Sequence, residues 1–254
     1  YSNFLAENNW DDKRANNRRI RQAKYAKSLF ENPVEVDIVP IKHINTDYAE
    51  YRPKLNAEEN IMYFTSKRPG GSSDILDDQG EYYEDIYVSK KKMGVWTEPQ
   101  LVNDLINTTE SSSCLYLSPD GEHMFLSMVN NDQKLGHLGR GIYEARLDGN
   151  HWNNPEFLDQ KVNSKYWETY ASLDIYGNVL FFVSDREGGY GGRDIWMIKK
   201  LPSGEWAEPQ NLGEPINTEY DEESPYLHPD GKTLYFSSKG HKVMGGFDIC
   251  LLYT

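Results

Sequence analysis

His228-Pro229-Asp230-Gly231-Lys232-Thr233-Leu234-Tyr235-Phe236-Ser237-Ser238 is a tight turn that runs into an apolar strand ending on serines. Proline fixes φ and glycine supplies positive φ, so Pro-Asp-Gly ahead of an apolar run marks a hairpin. Working outward, the same strand recurs upstream as Ile61–Ser66, His123–Ser127 and Val179–Ser184. Each copy follows a turn: Asn56-Ala57-Glu58-Glu59, Ser118-Pro119-Asp120-Gly121 or Asp174-Ile175-Tyr176-Gly177. Other marks keep the register. A short segment follows each strand, at Asp85-Ile86-Tyr87, Gly141-Ile142-Tyr143, Asp194-Ile195-Trp196 and Asp248-Ile249-Cys250. Three units continue into Trp96-Thr97-Glu98-Pro99, Trp152-Asn153-Asn154-Pro155 and Trp206-Ala207-Glu208-Pro209. An Asn-Thr or Asn-Ser pair precedes every unit, at Asn45, Asn107, Asn163 and Asn217.

The period, roughly 54 to 62 residues, is near that of propeller blades. Four antiparallel strands per unit, the last carrying the tryptophan, make a blade. The fold class is therefore all-β: a β-propeller of four-stranded antiparallel blades, with four units visible and five expected in the parent protein. Val34–Val39 leads into Asn45-Thr46 as the tryptophan strands lead into their own Asn pairs. It is expected to be a free fourth strand that completes a last blade. The first 33 residues differ: Trp10–Glu31 carries Ala15, Ile20, Ala23, Ala26 and Leu29 near helical spacing, and Asn32-Pro33 stops it. The domains are thus a helical segment over 1–33 and the propeller over 34–254.

The chain has 254 residues and a formal charge of −13, spread along its length. Such a surface repels phosphate backbones, so no nucleic-acid partner is expected. No window offers the run of about 20 apolar residues a membrane span needs. Tyr1–Leu5 lacks the pattern of a signal peptide. Cys114 and Cys250 sit in apolar runs and read as buried thiols.

These residues resemble the WD40-like, PD40-type repeats of periplasmic propellers. The run Ser184-Asp185-Arg186-Glu187-Gly188-Gly189-Tyr190-Gly191-Gly192-Arg193-Asp194-Ile195-Trp196, with Gly213-Glu214-Pro215-Ile216-Asn217-Thr218, is similar to the propeller of TPR/OmpA-family lipoproteins of the Bacteroidetes type IX secretion system. The likeness covers about residues 34–254, and the helix ending at Asn32-Pro33 is similar to a final TPR helix. Unit two departs from it, with Gly141 in the aspartate's place and no Gly-Gly-Tyr-Gly loop. The resemblance implies a periplasmic, outer-membrane-associated scaffold. Its partners would be other protein subunits of a secretion complex, and peptidoglycan through an OmpA-like domain that this chain does not show.

Chemistry is weakly signalled. Asp85, Asp194 and Asp248 recur once per unit, as structural residues do, and are expected to cap turn amides. Asp221-Glu222-Glu223, with Glu110 and Glu168 near matching positions, raises a glycosidase-like alternative. No unique pair stands out, so no catalytic residue is assigned and the chain is read as a non-enzyme. His43, His123, His137, His151, His228 and His241 form no metal-binding pattern. Gly188–Gly192 lacks the Lys-Ser/Thr of a phosphate loop. Neither cofactor nor metal is expected. Binding residues are instead sought in the long connections after each second strand, at Arg68, Asp185, Arg186, Tyr190, Arg193 and His241, because loops on a rigid scaffold carry recognition.

Overall fold

The computed structural model describes residues 13–33, 35–130 and 139–253. Trp10, Val34, His137 and Tyr1–Leu5 lie outside the described residues. Helix α1 runs Lys13–Glu31 and ends where Asn32 donates its N–H and its Nδ2 to the Ser28 carbonyl.

Four sheets follow, one per repeat unit. Blade 1 holds β1 (Glu50–Leu55), β2 (Ile61–Ser66) and β3 (Asp85–Lys92), with β4 (Val95–Trp96) and β5 (Gln100–Leu101) both on β3. Blade 2 holds β6 (Ser113–Leu117), β7 (His123–Asn130) and β8 (Gly139–Asp148), with β9 (His151–Trp152) and β10 (Glu156–Phe157) on β8. Blade 3 holds β11 (Glu168–Leu173), β12 (Val179–Ser184), β13 (Asp194–Lys199) and β14 (Gln210–Asn211). Blade 4 holds β15 (Glu222–Leu227), β16 (Thr233–Ser238) and β17 (Asp248–Tyr253). All pairings are antiparallel, and β1, β6, β11 and β15 stand side by side in chain order as the inner strands. This is a β-propeller of four blades.

Two strand expectations need correction. The tryptophans do not begin a continuous fourth strand. Trp96 and Trp152 sit in two-residue stubs folded back on the far end of the third strand, and Trp206 makes an isolated bridge to Lys200. The fourth strand proper starts after Pro99, Pro155 and Pro209, at Gln100, Glu156 and Gln210. A proline has no N–H to give the ladder, so pairing breaks there and resumes one residue later. The second correction concerns residues 35–39, which form no strand: Val36, Ile38 and Val39 are 69%, 90% and 77% exposed. Blade 4 has three strands among the described residues, and no packing comparable to that between the other inner strands joins β15 to β1.

The core lies between blades. Tyr63, Ile86, Cys114, Met124, Leu126 and Trp152 fill the first gap. Leu115, Phe125, Ile142, Leu180, Phe182 and Trp196 fill the second, and Val183, Ile195, Ile216, Leu234 and Phe236 the third. The Asn pairs explain themselves here. Asn107 Oδ1 accepts the Ile86 N–H at 2.7 Å, and its Nδ2 donates to the Ile86 and Val102 carbonyls. Asn163 does the same at Ile142 and Asn217 at Ile195. Asn107, Asn163 and Asn217 therefore each latch the third strand of the unit before, satisfying backbone groups that burial would otherwise leave unpaired. Cys114 is fully buried, its thiol pushed up to about 12 by burial; Cys250 is only half-buried.

Candidate functional site

Every inner strand slips register at the same place, between Tyr51 and Lys54, Cys114 and Tyr116, Thr169 and Ala171, and Glu223 and Tyr226. Arg52, Tyr170 and Ser224 take positive φ at this bulge. Bulges re-aim side chains, and these turn the start of each inner strand toward the axis and the rim.

A buried carboxylate anchors the rim end of three blades. Glu168 accepts the Ser164 N–H and Oγ, the Ser184 Oγ and the Arg186 guanidinium, at 2.6–3.1 Å. Glu50 and Glu222 repeat this with Thr46 and Ser66, and with Thr218 and Ser238. Blade 2 has Ser112 at this position and no such cluster. The matching acids are thus Glu50, Glu168 and Glu222, with Glu110 two residues upstream of the matching position. Hydrogen bonds within the blade occupy all three. Asp85 accepts from Ser72, Asp194 from the Tyr190 N–H and Asn211, and Asp248 from the Met244 N–H, so these aspartates do cap their loops.

The six loop residues sought from sequence fall into two groups. Arg68 and Arg186 are spent inside. Arg186 donates to the Lys161 and Val162 carbonyls and pairs with Glu168, leaving its side chain 11% exposed. Arg68 bonds the Ile44 carbonyl and Glu50 in the same way. His241 is also turned inward, its Nε2 2.9 Å from the Ile216 carbonyl and its ring against Phe236. Asp185 accepts the Trp167 N–H at 2.9 Å. Tyr190 is exposed, and Arg193 sits at the centre of a cluster on the rim of blades 3 and 4. Arg193 pairs with Asp221 and Glu223, and its guanidinium lies 4.9 Å from the Trp167 ring and 6.0 Å from that of Phe247. Lys239 completes the cluster, 2.7 Å from Asp221 and 4.5 Å from the Phe247 ring. Trp167 and Phe247 remain 41% and 38% exposed, so aromatic surface faces water around a fixed guanidinium. Burial raises the Asp221 carboxyl, but hydrogen bonds from Arg193 and Lys239 win and hold it well below the usual range.

Sequence reasoning missed Trp167, Lys239 and Phe247, and took Asp221 only as part of a glycosidase-like acidic run. A signal existed: the residue before each repeated Asp-Ile position is Glu84, Arg140, Arg193 or Phe247. Only arginine recurs among them, at Arg140 and Arg193, yet the fold gives all four one register. In blades 1 and 2 the pair is Arg140 with Glu84 at 2.6 Å, beside Tyr51, whose phenol is raised by burial and by Glu84. Among the described residues no cluster of three metal-ligating side chains occurs, and no helix is long and apolar enough to cross a membrane.

No known family model matches this sequence, and no curated protein matches it. Solved structures that resemble it do so at low identity. One is a protein assigned as TolB from Agrobacterium tumefaciens, 13% identical, with a TM-score of 0.46 over 82% of this chain and 83% of that one. Another is an α-L-arabinofuranosidase from Lactobacillus brevis, 10% identical, TM-score 0.46, over 80% and 72%. A third is the β-propeller domain of the Trilobed protease from Pyrococcus furiosus, 12% identical, TM-score 0.41, over 82% and 55%.

Proposed function

We propose that this chain is a non-catalytic adaptor propeller that holds other proteins through the rim of blades 3 and 4. The observation that carries this reading is the Arg193 cluster, where Trp167 and Phe247 stand partly exposed around a guanidinium fixed by two carboxylates. Tryptophan, tyrosine and arginine dominate the energetics of protein interfaces, and a preorganised anchor loses little entropy on binding. Glu84 and Glu223 are each held by an arginine. That arrangement suits structure better than general acid or base work. The repeat motifs support a periplasmic setting, an outer-membrane complex of the type IX secretion kind, and a link to the cell wall through an OmpA-like domain.

The test is site-specific photo-cross-linking in cell envelopes, with the reactive group at Trp167 on the rim or at Tyr176 on the opposite, turn-bearing end. Adducts with defined envelope proteins from position 167, absent from position 176, support the adaptor. Adducts from neither position, together with hydrolysis of envelope glycans by the purified chain, would replace it with a glycan-active enzyme.

A further inference from the structure

The four inner strands line an axial cavity of about 680 Å³, inside the range of roughly 300–1,000 Å³ typical of small-molecule sites. Its wall is largely apolar, with Leu55, Leu117, Leu173 and Leu227 at one repeated position. The neighbouring position breaks this uniformity: Lys54, Tyr116, Ser172 and Tyr226 occupy it in blades 1 to 4. Ser172 is satisfied by the Pro225 carbonyl. The Tyr116 phenol, raised by burial, lies within electrostatic range of Tyr226.

Lys54 is the anomaly. No hydrogen bond or ion pair to another described residue engages its ammonium, and its charged-state neighbours are the Cys114 thiol and the Arg52 guanidinium. Its side chain is half-buried in the largely apolar wall, and burial lowers its pKa. An unpaired ammonium in partly apolar surroundings is costly, and a partner anion reduces that cost. The carboxylate among the lining residues, Glu59, belongs to the exposed turn at the mouth. Toward the rim, Arg52 reaches over the Tyr170 ring at 4.7 Å and donates to Ser113 Oγ, spanning the cavity between blades 1 and 3. Residues of the hairpin turns, among them Asn56, Pro119 and His228, line its turn-bearing end.

We propose that the axial cavity is a binding site for a small organic carboxylate, with its apolar body against the leucine wall and its carboxylate on Lys54. Lys54 is the lysine among the lining residues, with the Arg52 guanidinium beyond it toward the rim, and the tyrosine hydroxyls at the same level supply further donors. This site lies away from the rim cluster and is independent of the adaptor reading.

Isothermal titration calorimetry of the full chain against butyrate, hexanoate, octanoate and benzoate, with hexanol and hexylamine as uncharged and cationic counterparts, tests it. At least one carboxylate is expected to bind at least tenfold more tightly than its alcohol, and the amine not at all. Lys54→Met should abolish the preference for carboxylate over alcohol. The same variant should raise the melting temperature of the unliganded chain, because it replaces an unpaired, half-buried cation in an apolar wall with an apolar side chain; that readout also certifies that the variant folds. Ile249→Ser with Leu251→Ser, on the exposed face of blade 4, should leave carboxylate binding unchanged. Equal affinity for hexanoate and hexanol overturns the proposal, as does a Lys54→Met chain that keeps the preference. Absence of heat across the whole series at millimolar ligand overturns it as well.

Discussion

The third strands of blades 3 and 4 begin alike, Asp194-Ile195-Trp196 and Asp248-Ile249-Cys250, and end in opposite surroundings. Ile195 is 0% exposed, packed with Ile216, Leu234 and Phe236 of the following unit, and its backbone is latched by Asn217. Ile249 is 82% exposed, and Leu251 and Tyr253 on the same face of β17 are exposed with it. The other face of β17, with Cys250 and Leu252, packs against blade 3. A blade buries one face against its predecessor and depends on its successor for the other, as expected when neighbouring repeats share a core. The identical dipeptide acquires its energetic weight from the unit that stacks upon it.

The largest effect separating the two blades should come from their buried glutamates. Glu168 is paired with Arg186 in a nearly water-free setting, and breaking such a pair typically costs about 3–5 kcal/mol. Glu168→Gln should approach that figure in urea unfolding. Glu222 has no arginine, and burial raises its carboxyl despite hydrogen bonds from Ser238 and Thr218, so its variant breaks no ion pair. Glu222→Gln should therefore cost less than half as much at neutral pH, and equal costs would break the contrast. Next comes the isoleucine pair. Ile195→Ala should destabilise by about 2–5 kcal/mol, the range for a buried large-to-alanine change, whereas Ile249→Ala should stay within about 0.5 kcal/mol. Comparable losses would mean that β17 is covered in solution.

A smaller effect tests the latch. Asn217→Ala leaves the buried Ile195 N–H and carbonyl without their side-chain partner and should cost about 1–3 kcal/mol. Amide exchange at Ile195 should accelerate while that at Ile142, latched by Asn163, stays slow. The smallest belongs to Asp221. Its folded carboxyl is depressed, so its contribution is present above the unfolded carboxylate pKa of about 3.9 and fades as pH falls toward the folded value. Asp221→Asn should lower stability at pH 7 by under about 1 kcal/mol, given its partial exposure. The variant should also lose less stability than the parent on going from pH 5 to pH 2; an unchanged acid limb would remove Asp221 from the rim's electrostatics.

The blades were legible because their cause is local and repeated. Turn residues with restricted φ and apolar strands in constant register define each unit before any contact between units is known. The Asn pairs were legible as marks and opaque as devices, since their partners lie in the preceding unit. Arg68 and Arg186 looked like exposed loop anchors, yet each follows a strand-ending serine and folds back onto the glutamate one strand inward. Trp167, Asp221, Lys239 and Phe247 come from different connections of units 3 and 4, so no linear window contains the cluster. Lys54 was hidden for a related reason: in sequence it is one lysine in a polar strand, and only closing the inner strands around an axis isolates it from counter-ions.

What the sequence by itself determined was the repeat, the antiparallel blade and the positions of its turns, all consequences of backbone restriction and period-two patterning within some 60 residues. What only the tertiary structure decided was which faces became core, which arginines were spent, and which lone charge faced a cavity. Those outcomes depend on desolvation, and desolvation of any side chain here is set by the neighbouring blade rather than by its own.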